Sequence, residues 1–401
     1  MTIVFYISGH GLGHASRDIE VIHAILARRP DARIVIRTGA EAWLFALNVP
    51  QAELQPCEVD TGVVQIDSLR LDEELTARAA CRFYADFDDR AAGEARRLRD
   101  LGTGLVIGDI PPLAFAAADR EGIASVALGN FTWDWIYSVY PAFDALAPDV
   151  IPTLRAAYAT ATRALRLPFH GGFEPMSAVT RDIPLIARRS RRDRRDTRRQ
   201  LGVVTDAQLL VLACFSAYGA PLPANVSRGA DGFTLLTVDR DPPHGLAYQD
   251  LVAAADVVVS KPGYGIVSEC IANDTALLYT SRGRFIEYDR FVAEMPRRLR
   301  CRYISQEDLF AGRIADTGRD PVPIMTEAVE ILHEEPNAEL IWASPRELLN
   351  IFQADAIGCH IITVTNDILA KLANVGKALD EYSLDTVKMF YNDARKAGFT
   401  L

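Results

Sequence analysis

The sequence has few of the features that mark secreted, metal-binding or membrane proteins. Its six cysteines are widely scattered, with no CxxC pair and no histidine at metal-ligand spacing. We therefore expect buried free thiols, no metal site and a reducing compartment. No apolar run approaches the ~18 residues that a spanning helix needs, and the first run, Ile3 to Ile7, is too short for a signal peptide. These absences predict a cytoplasmic protein with no transmembrane segment.

Lysine is nearly absent from most of the chain. Before Asp316 the sequence has 35 arginines and one lysine, Lys261, whereas from Asp316 onward it has three arginines and four lysines. Such a shift at one point indicates segments of different origin, and the turn-rich stretch Gly312 to Gly318 is the predicted junction. The net charge of -10 argues against sequence-independent nucleic-acid binding, because that binding relies on a basic surface.

The front part of the sequence alternates short β-branched runs with stretches of helical length. Strands separated by helices form parallel sheets with right-handed crossovers. The sequence therefore predicts an α/β fold with two Rossmann-like, doubly wound parallel-sheet domains, residues 1–165 and 201–315, joined by a linker at 166–200. The predicted strands are Thr2 to Ser8, Arg33 to Thr38, Gly104 to Gly108 and Ala124 to Leu128, then Leu209 to Phe215, Phe233 to Val238, Val257 to Ser260 and Ala276 to Thr280.

The predicted linker ends in RRSRRDRRDTRR, which contains eight arginines. A charge run of this kind is usually a solvated helix and linker, and we favour that interpretation. The alternative is a site for an anionic membrane or a phosphate group.

A glycine-rich loop, SGHGLGHASRD, directly follows the first predicted strand and precedes the first helix. Gly11 and Gly13 let the backbone approach a ligand, and the helix N-terminus offers unpaired N–H groups. The GxGxG spacing, with no acidic residue at the end of the second strand, argues against an NAD site. His10 and His14 could supply a base that faces the cleft between the two predicted domains. His14 is the better candidate, because it lies at the start of the helix. The alternative is that both histidines only bond the local backbone.

Asp109 in GDIPP follows another predicted strand and therefore lies at the same carboxyl edge as His14. A carboxylate bonded to one imidazole nitrogen fixes the tautomer and raises the basicity of the other nitrogen. The two residues are a candidate catalytic dyad, although Asp109 could equally cap the turn before the two prolines. Trp133 and Trp135, after the next strand, offer aromatic faces to a sugar or apolar acceptor, or simply pack in the core.

The second domain carries candidate groups for binding a diphosphate and a ribose. The segment CFSAYGA follows a strand and predicts a phosphate-cradling turn. The segment SKPGYGIVSEC predicts a turn and a helix whose N-terminal amides face a diphosphate, and Glu269 could accept hydrogen bonds from both ribose hydroxyls. The predicted donor-binding residues are Ser216, Gly219, Gly263, Gly265, Ser268, Glu269 and Glu287.

Together these sequence motifs resemble those of GT-B glycosyltransferases, and most closely those of the transferase-like domain at the front of plant-type arabinokinases and bacterial homologues. The likeness runs from about Thr2 to Gly312 and rests on YISGHGLGHASR, GDIPPLAF, NFTWDWIY, LPFHGGFEPM and SKPGYGIVSE. The resemblance implies that the turn ending at His14 supplies a base, that Asp109 partners it and that Glu269 contacts the donor ribose. It also implies a metal-independent glycosyltransferase with no cofactor, a nucleotide-sugar co-substrate and an unknown acceptor.

The C-terminal segment, predicted as residues 316–401, contains PVPIMTEAVEILHEEPNAELIWASPRELLNIFQADAIGCHIITVTNDIL. On this string it resembles the last part of a transaldolase, from about residue 318 onward. The resemblance implies an α/β segment that corresponds to the end of a TIM barrel. It also implies that Ser344 and Arg346 are remnants of a phosphate site.

Only the last two strands of that barrel are present, Ala338 to Ala343 and His360 to Thr365. The Schiff-base lysine of the transaldolase family belongs to a strand that is missing here, so transaldolase activity is not expected. Because two apolar strands cannot close a barrel, we expect the segment to dock on the second domain or on another subunit, in a homo-oligomer.

Two other classes of function stay open for the two-domain part. A nucleotide-sugar epimerase or hydrolase would need further acid and base groups on the sugar. A non-catalytic module would bind a nucleotide sugar without turning it over. Turnover with a panel of donors, compared with thermal stabilisation by the same donors, separates binding from catalysis.

Overall fold

The computed structural model divides into two compact units, Met1–Tyr303 and Ile304–Leu401. The first unit holds two sheets, and the second holds a small α/β arrangement. The structure describes residues 1–66, 69–203, 205, 208–215, 227–228, 233–237, 245–304, 320–332, 339–343, 345 and 347–396.

The first sheet is formed by the N-terminal part of the chain. Its strands are β1 (Thr2–Ile7), β2 (Arg33–Thr38), β3 (Glu53–Pro56), β4 (Thr103–Asp109), β5 (Ser125–Gly129), β6 (Arg163–Arg166) and β7 (Thr180–Asp182). All described pairs are parallel, in the order β3-β2-β1-β4-β5-β6-β7. The interior strand β1 is buried from Ile3 to Ile7, as expected for a strand covered on both faces.

Helices connect these strands in alternation. They are α1 (Leu12–Arg28), α2 (Ala42–Asn48), α3 (Glu73–Ala85), α4 (Phe87–Asp100), α5 (Pro112–Arg120), α6 (Trp133–Tyr137), α7 (Ala142–Leu146) and α8 (Val150–Ala159), with a 3₁₀ turn at Glu174–Val179. The start of α1 is set by Gly11, whose φ of 76° a glycine adopts without strain. Ala15, Ile19 and Ile22 recur on one face of α1 and are buried in the core.

The second sheet lies in the same unit. Its strands are β8 (Leu209–Cys214), β9 (Ser227–Arg228), β10 (Phe233–Thr237), β11 (Val257–Ser260), β12 (Ala276–Tyr279) and β13 (Cys301–Tyr303). The order is β13-β12-β11-β8-β10-β9, and the described pairs are parallel except that of β9 with β10. The associated helices are α9 (Arg194–Gln200), α10 (Tyr248–Ala254), α11 (Tyr264–Ala272) and α12 (Glu287–Glu294), with a 3₁₀ turn at Met295–Arg297. The predicted fold class, with two Rossmann-like parallel sheets, is confirmed.

The range predicted as a linker is more ordered than the sequence suggested. Strand β7 lies inside it and completes the first sheet. Two of its arginines are bound to the second sheet's Asp256, with Arg194 Nη2 2.5 Å from Oδ1 and Arg198 Nη1 2.9 Å from Oδ2. Arg198 also donates to the main-chain oxygen of Ala254 at 2.9 Å. Most arginines of the run are exposed, as the interpretation as a solvated helix and linker expected, whereas Arg198 is buried and departs from it.

The second unit contains α13 (Val322–Leu332), β14 (Ile341–Trp342), α14 (Leu349–Ala356), β15 (Ile361–Ile362), α15 (Asn366–Ala370), a 3₁₀ turn (Lys371–Asn374) and α16 (Leu379–Lys396). The two predicted strands form a parallel pair, shorter than expected, over a small core that includes Met325, Leu340 and Trp342. Helix α16 has no buried residue and carries exposed apolar side chains. Across the described parts of the chain, none of the helices combines the length and hydropathy of a membrane span.

Candidate active site

His14 and Asp109 meet at the carboxyl edge of the first sheet. Asp109 is the last residue of β4, and His14 is the third residue of α1, which follows the neighbouring strand β1. Nδ1 of His14 lies 2.9 Å from Oδ1 of Asp109, and both side chains are buried. Among the described residues, no group hydrogen-bonds the other ring nitrogen, Nε2. The contact has the geometry that a histidine base and its carboxylate partner require.

Arg17 binds the same carboxylate from the next turn of α1. Its Nε lies 2.5 Å from Oδ2 of Asp109 and its Nη2 lies 2.5 Å from Oδ1, which is a bidentate ion pair. Burial by itself would raise the pKa of Asp109, but Arg17 and His14 bring that pKa below its ordinary value. Asp109 is therefore ionised, and most of its charge is balanced inside the protein.

Arg17 also competes for the ring of His14. Its Nη2 lies 3.0 Å from Nδ1 of His14. A guanidinium can only donate, so Nδ1 would have to accept from Arg17, whereas the contact with Asp109 requires Nδ1 to donate. The two contacts select different tautomers of His14. Only donation to Asp109 leaves a lone pair on Nε2 for proton abstraction.

A chain of hydrogen bonds runs from Arg17 to the second sheet. Nη1 of Arg17 donates to Oδ1 of Asn130 at 2.9 Å, and Nδ2 of Asn130 donates to Oε1 of Glu287 at 2.6 Å. The other oxygen of Glu287 lies 3.5 Å from Nη1 of Arg282. Glu287, predicted to bind the donor, is thus buried and joins the loop after β5 to α12. The guanidinium of Arg17 also lies over the ring of Tyr264 at 4.7 Å.

The two glycine turns are in direct contact. Gly263 precedes α11, and a Cβ added at Gly265 would lie 3.4 Å from Cα of Gly13. The N-termini of α1 and α11 therefore meet, which brings two positive dipole ends together. Ser268 is buried and its hydroxyl donates to the main-chain oxygen of Gly265 at 2.9 Å. Four predicted site residues lie outside the described residues: Ser216, Gly219, Ser344 and Arg346.

Glu269 is buried one turn into α11 and pairs with Arg188. Arg188 Nε lies 2.7 Å and Nη2 lies 2.6 Å from the same oxygen, Oε1. The second oxygen, Oε2, is buried without a hydrogen-bond partner. Burial raises the pKa of Glu269, although Arg188 acts in the opposite direction. Oε2 of Glu269 can therefore still accept a hydrogen bond from another group.

His10 is held by the loop after β3. Its Nδ1 accepts a hydrogen bond from the main-chain N–H of Val63 at 3.3 Å, which matches the alternative of a local structural role. Burial, and then the charges of His14, Arg282 and Lys261, lower the pKa of His10, so the ring is neutral.

The predicted aromatic surface for an acceptor is not exposed at Trp133. Trp133 is fully buried, and its Nε1 donates to Oδ2 of Asp60 at 2.8 Å. Trp135 is half-buried, and its ring lies where a side chain at position 171 would be, so Gly171 makes room for it. Full burial places Trp133 in the core, and of the two tryptophans only Trp135 keeps a face near solvent.

Three polar residues of this region were missed by the sequence interpretation. Arg17 is three residues after His14, a spacing that puts both on one face of a helix and that could have revealed it. Asn130 and Asp60 follow β5 and β3 on the chain, so their position at strand ends was also a usable signal. Burial raises the pKa of Asp60 to about 6, although hydrogen bonds from Ser8 and Trp133 oppose the shift.

A positively charged crevice adjoins His10. Arg70, Lys261 and Arg282 line it together with Gln65 and Phe285. The one lysine of the first 315 residues therefore lies at this crevice. In the described parts of the chain, no cluster of three or more His, Cys, Asp or Glu side chains is placed to hold a metal ion.

Two Rossmann-like sheets within one unit, with charged and polar residues at their carboxyl edges, define a GT-B-type, glycosyltransferase-like fold. The chain is similar to L-arabinokinase from Arabidopsis thaliana, with 29% identity over 309 residues, 72% of this chain and 29% of the relative. It thus spans less than a third of that relative's length. The model of the Transaldolase/Fructose-6-phosphate aldolase family matches residues 288–401.

Solved structures of glycosyltransferases are also similar over most of the chain. SsfS6 from Streptomyces sp. SF2575 is 12% identical, with 79% of this chain and 91% of that chain covered and a TM-score of 0.46. MurG from Acinetobacter baumannii is 12% identical, with coverages of 83% and 90% and a TM-score of 0.43. These scores are low, and the fold assignment rests on the strand order of the two sheets.

The chain therefore joins a GT-B-like part related to arabinokinase to a transaldolase-like C-terminal part. The family match begins at residue 288, earlier than the predicted start near residue 318. It thus includes β13, which pairs with β12 in the second sheet. Residues 288–303 consequently match the family model while forming part of the first unit.

Proposed function

We propose that this chain is a cytoplasmic, metal-independent glycosyltransferase that moves a sugar from a nucleotide-sugar donor to an acceptor hydroxyl. The observation that carries the proposal is the 2.9 Å contact of His14 with Asp109 at the point where the N-termini of α1 and α11 meet. A base and an anion-attracting helix end at one place are what acid–base sugar transfer without a metal requires.

The chemistry divides between the two sheets. Nε2 of His14 takes the proton of the acceptor hydroxyl while the acceptor oxygen bonds to the anomeric carbon of the sugar. The bond from that carbon to the nucleoside diphosphate breaks, and the diphosphate leaves with the electron pair. The N-terminus of α11 and the cations Lys261 and Arg282 offset the charge of the leaving group. The unpaired Oε2 of Glu269 accepts a ribose hydroxyl.

The test is release of nucleoside diphosphate from a panel of uridine, guanosine and thymidine diphosphate sugars, with and without candidate acceptor sugars. We expect at least one donor to be consumed in an acceptor-dependent way by the wild-type protein and not by His14→Ala. The same donor should stabilise both proteins against heat. The proposal is wrong if no donor of the panel raises the unfolding temperature of either protein.

A second candidate is a non-catalytic module that binds a nucleotide sugar. The bidentate pairing of Asp109 with Arg17 favours it, because a carboxylate held at both oxygens by a buried arginine is also what a purely structural ion pair requires. Thermal stabilisation by a donor, with no release of nucleoside diphosphate in the presence of any acceptor, would identify this function. Arg17→Gln, which reduces the pairing, would then also fail to create turnover.

A further inference from the structure

Asp18 is a buried carboxyl group that the proposed reaction does not use. It is fully buried on α1, directly after Arg17 and one turn after His14. Neither of its carboxylate oxygens accepts a hydrogen bond from a donor among the described residues. The charged groups that face it are Asp109, from the end of β4, and Arg17, from its own helix.

An ionised carboxylate in this position would be very unfavourable. A charge removed from water needs a partner and satisfied hydrogen bonds, and a carboxyl group without them becomes neutral instead. Arg17 is already engaged, since its nitrogens bind Asp109 and Asn130. The remaining neighbour within hydrogen-bonding reach is the carboxylate of Asp109, which can only accept. Two neighbouring carboxyl groups of this kind share one proton.

The assignment of that proton follows from the neighbours of each group. Asp109 is bound by Arg17 and contacts His14, whereas neither residue hydrogen-bonds Asp18. Burial, and then the charge of Asp109, raise the pKa of Asp18, while Arg17 acts in the opposite direction. We propose that Asp18 is protonated in the folded protein, that it donates a hydrogen bond to Asp109, and that it thereby orients Asp109 toward His14.

Asp18 would thus be a positioning residue, since it acts through Asp109. The orienting role has a use only if the proposed function holds, but the protonated state does not depend on it. Protonation can therefore be tested on the folded protein without a substrate. A hydrogen-bond donor at position 18 should be required to orient Asp109, whereas a negative charge at that position should not be required.

The first experiment compares the thermal unfolding of wild-type protein and Asp18→Asn between pH 4 and pH 8. A group whose pKa is raised by folding contributes stability below its unfolded pKa of about 3.9 and loses that contribution as the pH rises. Asn keeps a donor and does not titrate, so we expect Asp18→Asn to unfold at least ~2 °C higher at pH 8, with the difference shrinking toward pH 4. Asp119→Asn, at an exposed position of α5, is the control and should show no such trend.

An Asp18→Asn protein that is less stable than wild type at pH 8, with the gap closing at pH 4, would mean that Asp18 is ionised and paired. If Asp18→Asn does not fold, Asp18→Ser, which also keeps a donor, replaces it in the comparison. Infrared spectroscopy of the wild-type protein gives an independent readout. The carbonyl band of a protonated acid should be present at neutral pH and absent from either variant.

The orienting role is tested by the ¹⁵N resonances of the His14 ring, assigned by comparison with His14→Ala. These resonances report which ring nitrogen carries the proton. We expect Asp18→Asn to keep the wild-type pattern and Asp18→Leu, which has no donor, to change it. Unchanged resonances in a folded Asp18→Leu protein would show that Asp18 does not orient the pair. Neither readout requires turnover, so failure of the proposed function would leave this test intact.

Discussion

Asp109 and Glu269 are buried carboxylates from the two halves of the first unit, and each is paired with an arginine. Arg17 binds both oxygens of Asp109, and His14 also contacts one of them. Arg188 binds only Oε1 of Glu269, and Oε2 stays buried without a partner. The pKa of Asp109 is below its ordinary value, whereas burial raises that of Glu269 despite Arg188.

The difference in pairing suggests an internal role for Asp109 and a ligand-binding role for Glu269. A carboxylate whose oxygens are all engaged can act on a substrate only through its partner, here His14. A buried carboxylate oxygen without a hydrogen-bond partner destabilises the protein until a group donates a hydrogen bond to it, and a ribose hydroxyl is such a donor. Under the proposed function, we therefore expect the chemical step at the first sheet and donor binding at the second.

The largest expected effect is on stability and tests whether Asp109 depends on Arg17. Arg17→Met leaves a buried carboxylate without its main counter-charge, so we expect a loss of about 3 to 5 kcal/mol in the free energy of unfolding at neutral pH. Urea denaturation measures this loss. Because folding lowers the pKa of Asp109, its stabilising contribution is present above about pH 3.9 and is lost as the pH falls through its folded pKa.

The control for this effect is the double variant Arg17→Met, Asp109→Asn, in which the buried charge is absent. It should recover part of the lost stability, since the penalty of an unpaired charge is removed. A single variant Arg17→Met that unfolds at the wild-type urea concentration would contradict the account of Asp109 as an internally balanced group.

The next effect is on the rate of sugar transfer. His14→Ala removes the proposed base, so we expect transfer to fall by at least ~100-fold with donor affinity nearly intact. Asp109→Asn should lower the rate in the same direction, and the loss in the double variant should be smaller than the sum of the two single losses, because the residues act as a unit. Small, additive losses in steady-state kinetics would mean that these residues only shape the loop.

Donor binding should respond to Glu269. Glu269→Ala removes the acceptor for the ribose hydroxyls, so we expect nucleotide binding to weaken by roughly 1.5 to 3 kcal/mol. Fluorescence competition with a labelled nucleotide gives the affinity, and circular dichroism checks the fold. The matched control is Asp256→Ala, which removes a carboxylate that binds Arg194 and Arg198 away from Glu269. Equal affinities for a folded Glu269→Ala protein and wild type would remove Glu269 from the site.

The smallest expected effect is spectroscopic and concerns Asp60. Because burial raises the pKa of Asp60 to about 6, its charge should be lost just below neutral pH. The indole of Trp133 donates to Asp60, so the tryptophan emission should change with a midpoint near pH 6. This titration should disappear in Asp60→Asn and in Trp133→Phe. A midpoint that persists in both variants would have to come from another group.

The sequence predicted the strands better than the groups between them. Runs such as Val257 to Ser260 are apolar and β-branched, so their pattern sets their secondary structure locally, and the observed strand has the predicted bounds. The contact of His14 with Asp109 was predicted because the carboxyl ends of parallel strands share one edge.

What the sequence did not reveal depends on tertiary packing. The spacing of Arg17 from His14 puts both on one face of α1, but the carboxylate that both of them bind lies 95 residues from His14 along the chain, and only packing brings it there. Trp133 occurs in a motif rich in aromatic residues, and only packing decides that it is buried. How the second unit's strands are covered, and whether it assembles into a homo-oligomer, stay predictions.

Calorimetric titration of a nucleoside diphosphate into His14→Ala and Glu269→Ala, beside wild type, tests the division between the two sheets most directly. The account predicts that His14→Ala binds within about threefold of wild type. It predicts that Glu269→Ala binds at least ~10-fold more weakly. The account would be contradicted if the nucleotide bound both variants equally well or did not bind the wild-type protein.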